Sequence, residues 1–157
     1  MDFKISENSI LETHYQKPFT KGVSLQKKVI DNFANGLIQE YDVRAPSINI
    51  PVKNLSGGNQ QKVIVGREFM KKTHFLLVMQ PTWGLDVGAI EYVHKKLLEA
   101  REKGVTILLI STDLEEVRKL SDRILVIYEG EIVGQVNSST DIEEIGLLMA
   151  GSHRQTI

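Results

Sequence analysis

Two adjacent glycines, set between a serine and a polar run, constrain this chain more than any other feature: Asn54-Leu55-Ser56-Gly57-Gly58-Asn59-Gln60-Gln61-Lys62. Ser56 is a favourable residue to cap a helix, and Gly57-Gly58 lets another molecule approach the backbone closely. From Asn59 to about Lys71 the spacing predicts a helix, with Val63, Phe69 and Met70 among its apolar positions. A capped, glycine-opened helix start carries roughly half a positive charge and several unpaired N–H groups, which suits an anion such as a phosphate. An ordinary capped surface helix has the same spacing, so the residues alone leave both readings open.

The chain before this stretch reads as helical and the chain after it as alternating strands and helices. Ser6–Leu11 fits a short helix, and Lys17-Pro18 and Lys21-Gly22 break the chain beyond it. From Ser24 to about Tyr41, Leu25, Val29, Phe33, Leu37 and Ile38 recur mostly at four-residue steps, which predicts a helix with one buried face. Ala45 to Pro51 is a turn-rich connector. Thr73–Met79 is an apolar run of strand length, the kind that fits a strand buried on both faces of a parallel sheet. A loop, Gln80–Asp86, leads to a helix from Val87 to about Lys103, closed by Gly104. Val105–Ser111 is a second buried strand and Asp113–Leu120 a short helix. Ile124–Tyr128 is a third strand, Glu129-Gly130 a tight turn, Ile132–Val136 a fourth strand and Asp141–Met149 a last helix. Such alternation predicts an α/β sheet, most of it parallel.

Composition narrows the function classes. The chain has 157 residues, enough for one domain with a core. A net charge of −1, with basic residues only in pairs such as Lys27-Lys28 and Lys71-Lys72, argues against a nucleic-acid surface. There are no cysteines, hence no disulfides or thiolate metal sites. No apolar run reaches the ~20 residues of a membrane span. The histidines, His14, His74, His94 and His153, are scattered without ligand spacing, and no Ser/His/Asp triad can be built from spacing. Glu115-Glu116 and Glu143-Glu144 read as solvated helix faces.

The wording Leu55-Ser56-Gly57-Gly58-Asn59-Gln60 resembles the signature motif of ABC-type ATPases, in the form found in sugar and nucleoside importers. The resemblance runs in order from about Asn54 to Gly134. Phe75–Gln80 looks like the strand that carries the magnesium-associated aspartate and then the catalytic glutamate. Gly84-Leu85-Asp86 looks like the loop between two nucleotide sites, Ser111-Thr112-Asp113 like the switch region, and Ser121–Ile124 with Glu129-Gly130 like the closing strands. What this implies is an incomplete P-loop NTPase core of the ABC type. Residues 1–53 form a helical subdomain and connector facing a membrane permease, and 54–72 the signature motif and helix. Residues 73–150 form the C-terminal part of the α/β core, and 151–157 a tail. The resemblance further implies ATP and Mg in the full assembly, with Ser56, Gly57, Gly58 and Gln60 closing over ATP held by a partner ATPase domain, and Asp86 in the inter-site loop. Its closest flavour is the second ATPase half of a double-length ribose- or nucleoside-type importer protein, cytoplasmic and peripheral to the inner face of the cell membrane.

Departures from that pattern matter as much. Met79 stands at the magnesium-associated aspartate, and a thioether is a poor ligand for a hard cation. Gln80 stands at the catalytic glutamate; an amide orients water but cannot accept its proton, and a missing general base costs about 10²–10⁴-fold. Thr112 replaces the switch histidine. Trp83, beside the inter-site loop, is expected to pack at a dimer contact. No Gly-x-x-x-x-Gly-Lys-[Ser/Thr] loop is present. The nearest stretch, Gly66–Thr73, has Lys71 where the second glycine belongs, and it ends a helix instead of opening one. The chain is therefore expected to be the C-terminal part of an ABC ATPase domain, to bind no ATP or metal by itself, and to lack turnover. In such a domain the phosphate-loop strand lies between strands Val105–Ser111 and Ile124–Tyr128. Without it the chain is expected to self-associate, exchange strands or collapse the two lips together. The competing readings are a non-transport ABC ATPase and an inert interaction module.

Overall fold

The computed structural model, which describes residues 2–71 and 73–152, divides into two units. Met1, Lys72 of the Lys71-Lys72 pair, and residues 153–157, with His153 and most of the tail, lie outside the described residues. One unit takes Met1–His74 and Pro81–Val105; the other takes Phe75–Gln80 and Thr106–Ile157.

The first unit is helical. Helix α1 (Ile5–Ser9) is followed by a small hairpin of β1 (Thr20–Lys21) and β2 (Ser24–Leu25), and then by α2 (Lys27–Glu40). The sequence pattern did not announce this hairpin: Gly22, at φ +62°, makes the turn that composition reads only as a break. On α2, Ile30, Ala34 and Leu37 are buried at helical spacing. Ile30 joins Ile10 and Phe19 in a cluster against which Val29 and Phe33 pack, with the Phe19 and Phe33 rings edge to face at 5.0 Å. Helix α3 (Gly57–Phe69) comes after a 3₁₀ turn, Val52–Asn54, and α4 (Val87–Glu102) completes the unit. Gly66 lets α3 press on α2, since a Cβ there would stand 3.0 Å from Leu37 and the Tyr41 ring.

The second unit holds β3 (Phe75–Met79), β4 (Thr106–Ile110), α5 (Leu114–Leu120), β5 (Ile124–Tyr128), β6 (Glu131–Val136) and α6 (Ile142–Met149). The α/β class holds, but the sheet differs from expectation. Among the described residues only β3 and β4 are parallel, in register from Phe75↔Thr106 to Met79↔Ile110. β5 and β6 form an antiparallel hairpin with a bulge at Val126/Ile127, turned by Glu129 at φ +47° and Gly130 at φ +86°. β4 and β5 belong to separate two-stranded sheets, so the lips do not collapse onto each other. The strands β3 and β4 are also not buried on both faces: Leu76 is buried, whereas Leu77 and Met79 are exposed. The reason is tertiary: an apolar run states that a strand wants cover on both faces, and says nothing of whether the cover is present. The core of this unit is Ile124, Val126, Ile145 and Leu148, with Leu114, Val117, Val133 and Val136 packed around it.

Candidate functional site at the glycine-opened helix

The start of α3 is held by backbone contacts from the other end of its unit. Ile5 N donates to Ile50 O, Ser6 N to Ile48 O and Val52 N to Phe3 O, each at 3.0 Å. These bonds anchor the connector, and the buried side chains of Val52 and Leu55 fasten the turn just before the motif. The next two residues, Ser56 and Gly57, are exposed. The sequence thus buries the approach to the helix and leaves its first turn open.

Within the motif, Ser56 takes the extended N-cap conformation, φ −62° and ψ 155°, as expected, but makes no side-chain cap. Its Oγ instead accepts from Asn59 Nδ2 at 2.9 Å. The Asn59 amide is claimed from the other side, its Oδ1 accepting from Arg44 N at 2.7 Å. The first-turn N–H groups of α3 are therefore not answered by the serine, which leaves their partial positive charge directed outward. A Cβ at Gly57 would meet nothing within 4 Å, so the approach to that turn is open. Such a turn suits an anion.

Gly58 and Asp86 come together. A Cβ on Gly58 would stand 3.2 Å from Ala89 Cβ and 3.7 Å from Asp86 Oδ2. Asp86 caps α4, its Oδ1 accepting from Ala89 N at 2.9 Å. Gln61 Nε2 donates to Pro81 O at 2.9 Å, pinning the other end of the same loop to α3. Gln60 Nε2 is already spent on Leu55 O at 2.8 Å. Trp83, midway along the pinned loop, is 80% exposed.

The aromatic and charged support beneath α3 was not legible in the sequence, because its members come from separate elements. Lys62 Nζ donates to Asp42 O and Oδ2, both at 2.9 Å, and lies 4.7 Å from the centre of the Tyr92 ring. That hydrogen bond and charge hold the Asp42 carboxyl below the usual carboxylate range. Lys96 Nζ lies 5.3 Å from the Tyr41 ring centre. Burial pushes the Tyr41 hydroxyl up to about 12, with the Glu40 and Glu99 charges adding to it, and burial raises Tyr92 likewise.

In the second unit Gln80 and Thr112, which the resemblance sets at the catalytic glutamate and the switch histidine, meet. Gln80 Nε2 donates to Thr112 Oγ1 at 3.2 Å, and Thr112 N to Gln80 Oε1 at 3.4 Å. Gln80 sits in the left-handed region at φ +47°, its N–H donating to Ile110 O at 2.8 Å as a continuation of the β3–β4 ladder. Amide and hydroxyl satisfy each other, and neither is a base at neutral pH. Met79, next to Gln80, is 72% exposed and offers only a thioether. Among the described residues no three or more His, Asp or Glu side chains gather to hold a metal ion.

No protein-family profile matches the chain. It is 52% identical over 153 residues to the guanosine import ATP-binding protein NupO of Bacillus subtilis, which covers 97% of the chain and 30% of that relative. It is 44% identical over 154 residues to the nucleoside import ATP-binding protein NupA of Lactococcus lactis, with 98% and 30% covered. It is 40% identical over 139 residues to the ribose import ATP-binding protein RbsA of Oceanobacillus iheyensis, with 87% and 27% covered. The chain thus spans less than a third of the curated relatives it matches. Among solved structures, a nucleotide-free ATP-binding cassette from an ABC transporter superposes with TM-score 0.70 at 21% identity, covering 95% of this chain and 60% of that one. A dimeric bacterial ABC transporter cassette superposes with TM-score 0.69 at 22% identity, covering 88% and 58%. By sequence and by fold together, the chain belongs to the ABC-transporter ATP-binding family, beside its sugar- and nucleoside-import members.

Proposed function

We propose that this chain serves as the signature-bearing part of the ATP-binding component of an ABC importer for a simple sugar or nucleoside. In this reading Ser56, Gly57 and Gly58 close over the terminal phosphate of ATP held by a partner ATPase domain, Gln60 supports the turn, and Asp86 fixes the adjacent loop. ATP and Mg belong to the full assembly, with the partner supplying the phosphate loop and the magnesium site. Permease subunits meet the helical unit, and the assembly works at the inner face of the cell membrane; no described helix is long and apolar enough to cross one. Alone, the chain turns over no ATP and self-associates through its unpaired strands.

The observation that carries this reading is the open first turn of α3, with the Ser56 hydroxyl engaged by Asn59 and clear space over Gly57. The Gln80–Thr112 contact favours one refinement: whatever site this part helps to frame on its own side is slow or inert in hydrolysis, because the amide occupies the general base's position.

A fluorescent ATP analogue bound to a phosphate-loop-bearing cassette of the guanosine-import relative tests the reading. Adding this chain is expected to tighten retention of the analogue by about tenfold, and Gly57→Glu to abolish the gain by setting a carboxylate against the phosphate. Gly57 has room for the new side chain, so loss of folding does not confound the result. No gain from the unsubstituted chain, or tight magnesium-dependent ATP binding by the chain alone, would refute it.

A further inference from the structure

Helix α2 ends through a left-handed residue. Val43 N donates to Ile38 O at 2.9 Å and Asp42 N to Gln39 O at 3.4 Å, the pair of bonds that closes a helix in this way. Glycine takes such a place without strain; here it is taken by Asp42, at φ +46°. The holder is Lys62 on α3, whose Nζ donates to both Asp42 O and Asp42 Oδ2 at 2.9 Å. The lysine side chain is only 15% exposed and its ammonium lies over the Tyr92 ring, so it reaches Asp42 from a fixed position.

Two residues past Asp42, Arg44 N donates to Asn59 Oδ1 at 2.7 Å. A backbone N–H can only donate, so it settles which end of the amide faces it. The oxygen turns to Arg44 and the Nδ2 is left for Ser56, whose Oγ accepts from it at 2.9 Å. Asn59 and Lys62 are three residues apart on α3, so one face of that helix grips the connector at both points. The Ser56 backbone is already set for capping, at φ −62° and ψ 155°, yet its side chain caps nothing. A serine cap and a phosphate compete for the same N–H groups, those of the second and third residues of the helix, here Gly58 and Asn59.

We infer that Lys62 and Asp42 are positioning residues for the signature turn. Their clasp holds the left-handed turn that aims Arg44 N–H at Asn59, and Asn59 draws the Ser56 hydroxyl away from the Gly58 and Asn59 N–H groups, which stay open to a phosphate. The inference rests on the reading of that turn as the lid over a partner's ATP.

Amide exchange of the 157-residue chain, followed by nuclear magnetic resonance, tests it without nucleotide. In Lys62→Met, which keeps the stem and loses the ammonium, the Gly58 and Asn59 N–H groups are expected to exchange about fivefold more slowly, as Ser56 comes to cap them. A lysine that only holds the fold together gives the opposite sign, faster exchange, when it is lost. Two substitutions at exposed Asp42 isolate the turn from the lysine. Asp42→Ala, with a Cβ that disfavours the left-handed turn, is expected to slow the same two groups; Asp42→Gly, which holds the turn unaided, is expected to leave them as they are. With the phosphate-loop-bearing cassette of the guanosine-import relative, Lys62→Met and Asp42→Ala are each expected to lose about fivefold in retention of the ATP analogue, and Asp42→Gly to lose none. Unchanged or faster exchange in Lys62→Met, equal effects of alanine and glycine at Asp42, or slowed exchange with retention intact overturns the inference. No gain in retention from the unsubstituted chain refutes the reading of the motif instead, and the exchange measurements still decide the clasp.

Discussion

Adjacent glycines in one motif serve different physical ends. Gly58 is a packing residue: a Cβ there would press to 3.2 Å on Ala89 Cβ, which is fixed to its backbone. Gly58→Ala is therefore expected to lower stability by about 1–3 kcal/mol, the usual range for overpacking, in a denaturant titration. Gly57 has open space, so Gly57→Ala is expected to leave the midpoint unchanged or slightly raised, by no more than about 1 kcal/mol. The sequence announced that both glycines matter; which one touches the chain and which one is free for a partner depended on where α4 packs. Tyr41 yields a second residue-scale test. Its hydroxyl is raised to about 12 in the folded chain, against about 10 when unfolded. The neutral form is thus favoured by folding: the stabilisation is complete below pH 10 and fades as pH climbs through 12. Alkaline titration monitored by tyrosinate absorbance should show a late-ionising component from Tyr41 and Tyr92, and Tyr41→Phe should reduce it without abolishing it.

At the scale of elements, the caps are made where the sequence reading did not look for them. Asp113, Asp86 and Asp141 precede helices in the sequence and each caps one, Asp113 Oδ1 accepting from Glu115 N at 2.9 Å and Glu116 N at 3.1 Å. Asp113→Ala is expected to cost about 1 kcal/mol, seen as a lower unfolding midpoint with the far-ultraviolet circular dichroism otherwise retained. Ser56 stands in the right place with the right backbone, yet its hydroxyl turns to Asn59. That choice is made by Arg44, whose N–H holds the other end of the Asn59 amide from 15 residues away. Strand positions after α3 were legible from apolar runs, and β5 coincides with the expected Ile124–Tyr128. The partners of those strands were not legible, because a run of β-formers carries no record of which neighbour it lacks.

For the whole molecule, the exposed strand faces dominate behaviour. Leu77, Met79, Leu108 and Ile110 lie open together, so the chain alone is expected to bind a hydrophobic dye such as anilinonaphthalene sulfonate near neutral pH. Leu77→Lys is expected to reduce that signal and to raise the concentration at which the chain stays monomeric in ultracentrifugation. If the unsubstituted chain neither binds dye nor associates, the apolar patch has been misjudged.

What the sequence determined by itself is the order of elements from α3 onward, the family, and the chemical poverty of the Met79, Gln80 and Thr112 positions, since these come from periodicity and from residue identity. Only the tertiary structure decided that Gln80 and Thr112 bond to each other, that Asp86 lies against Gly58, and that β4 and β5 remain unjoined. Periodicity records the face each residue wants to bury, and identity records what its atoms can do. Which atoms meet is fixed by packing between segments far apart in the chain, and that information is held in no single stretch of it.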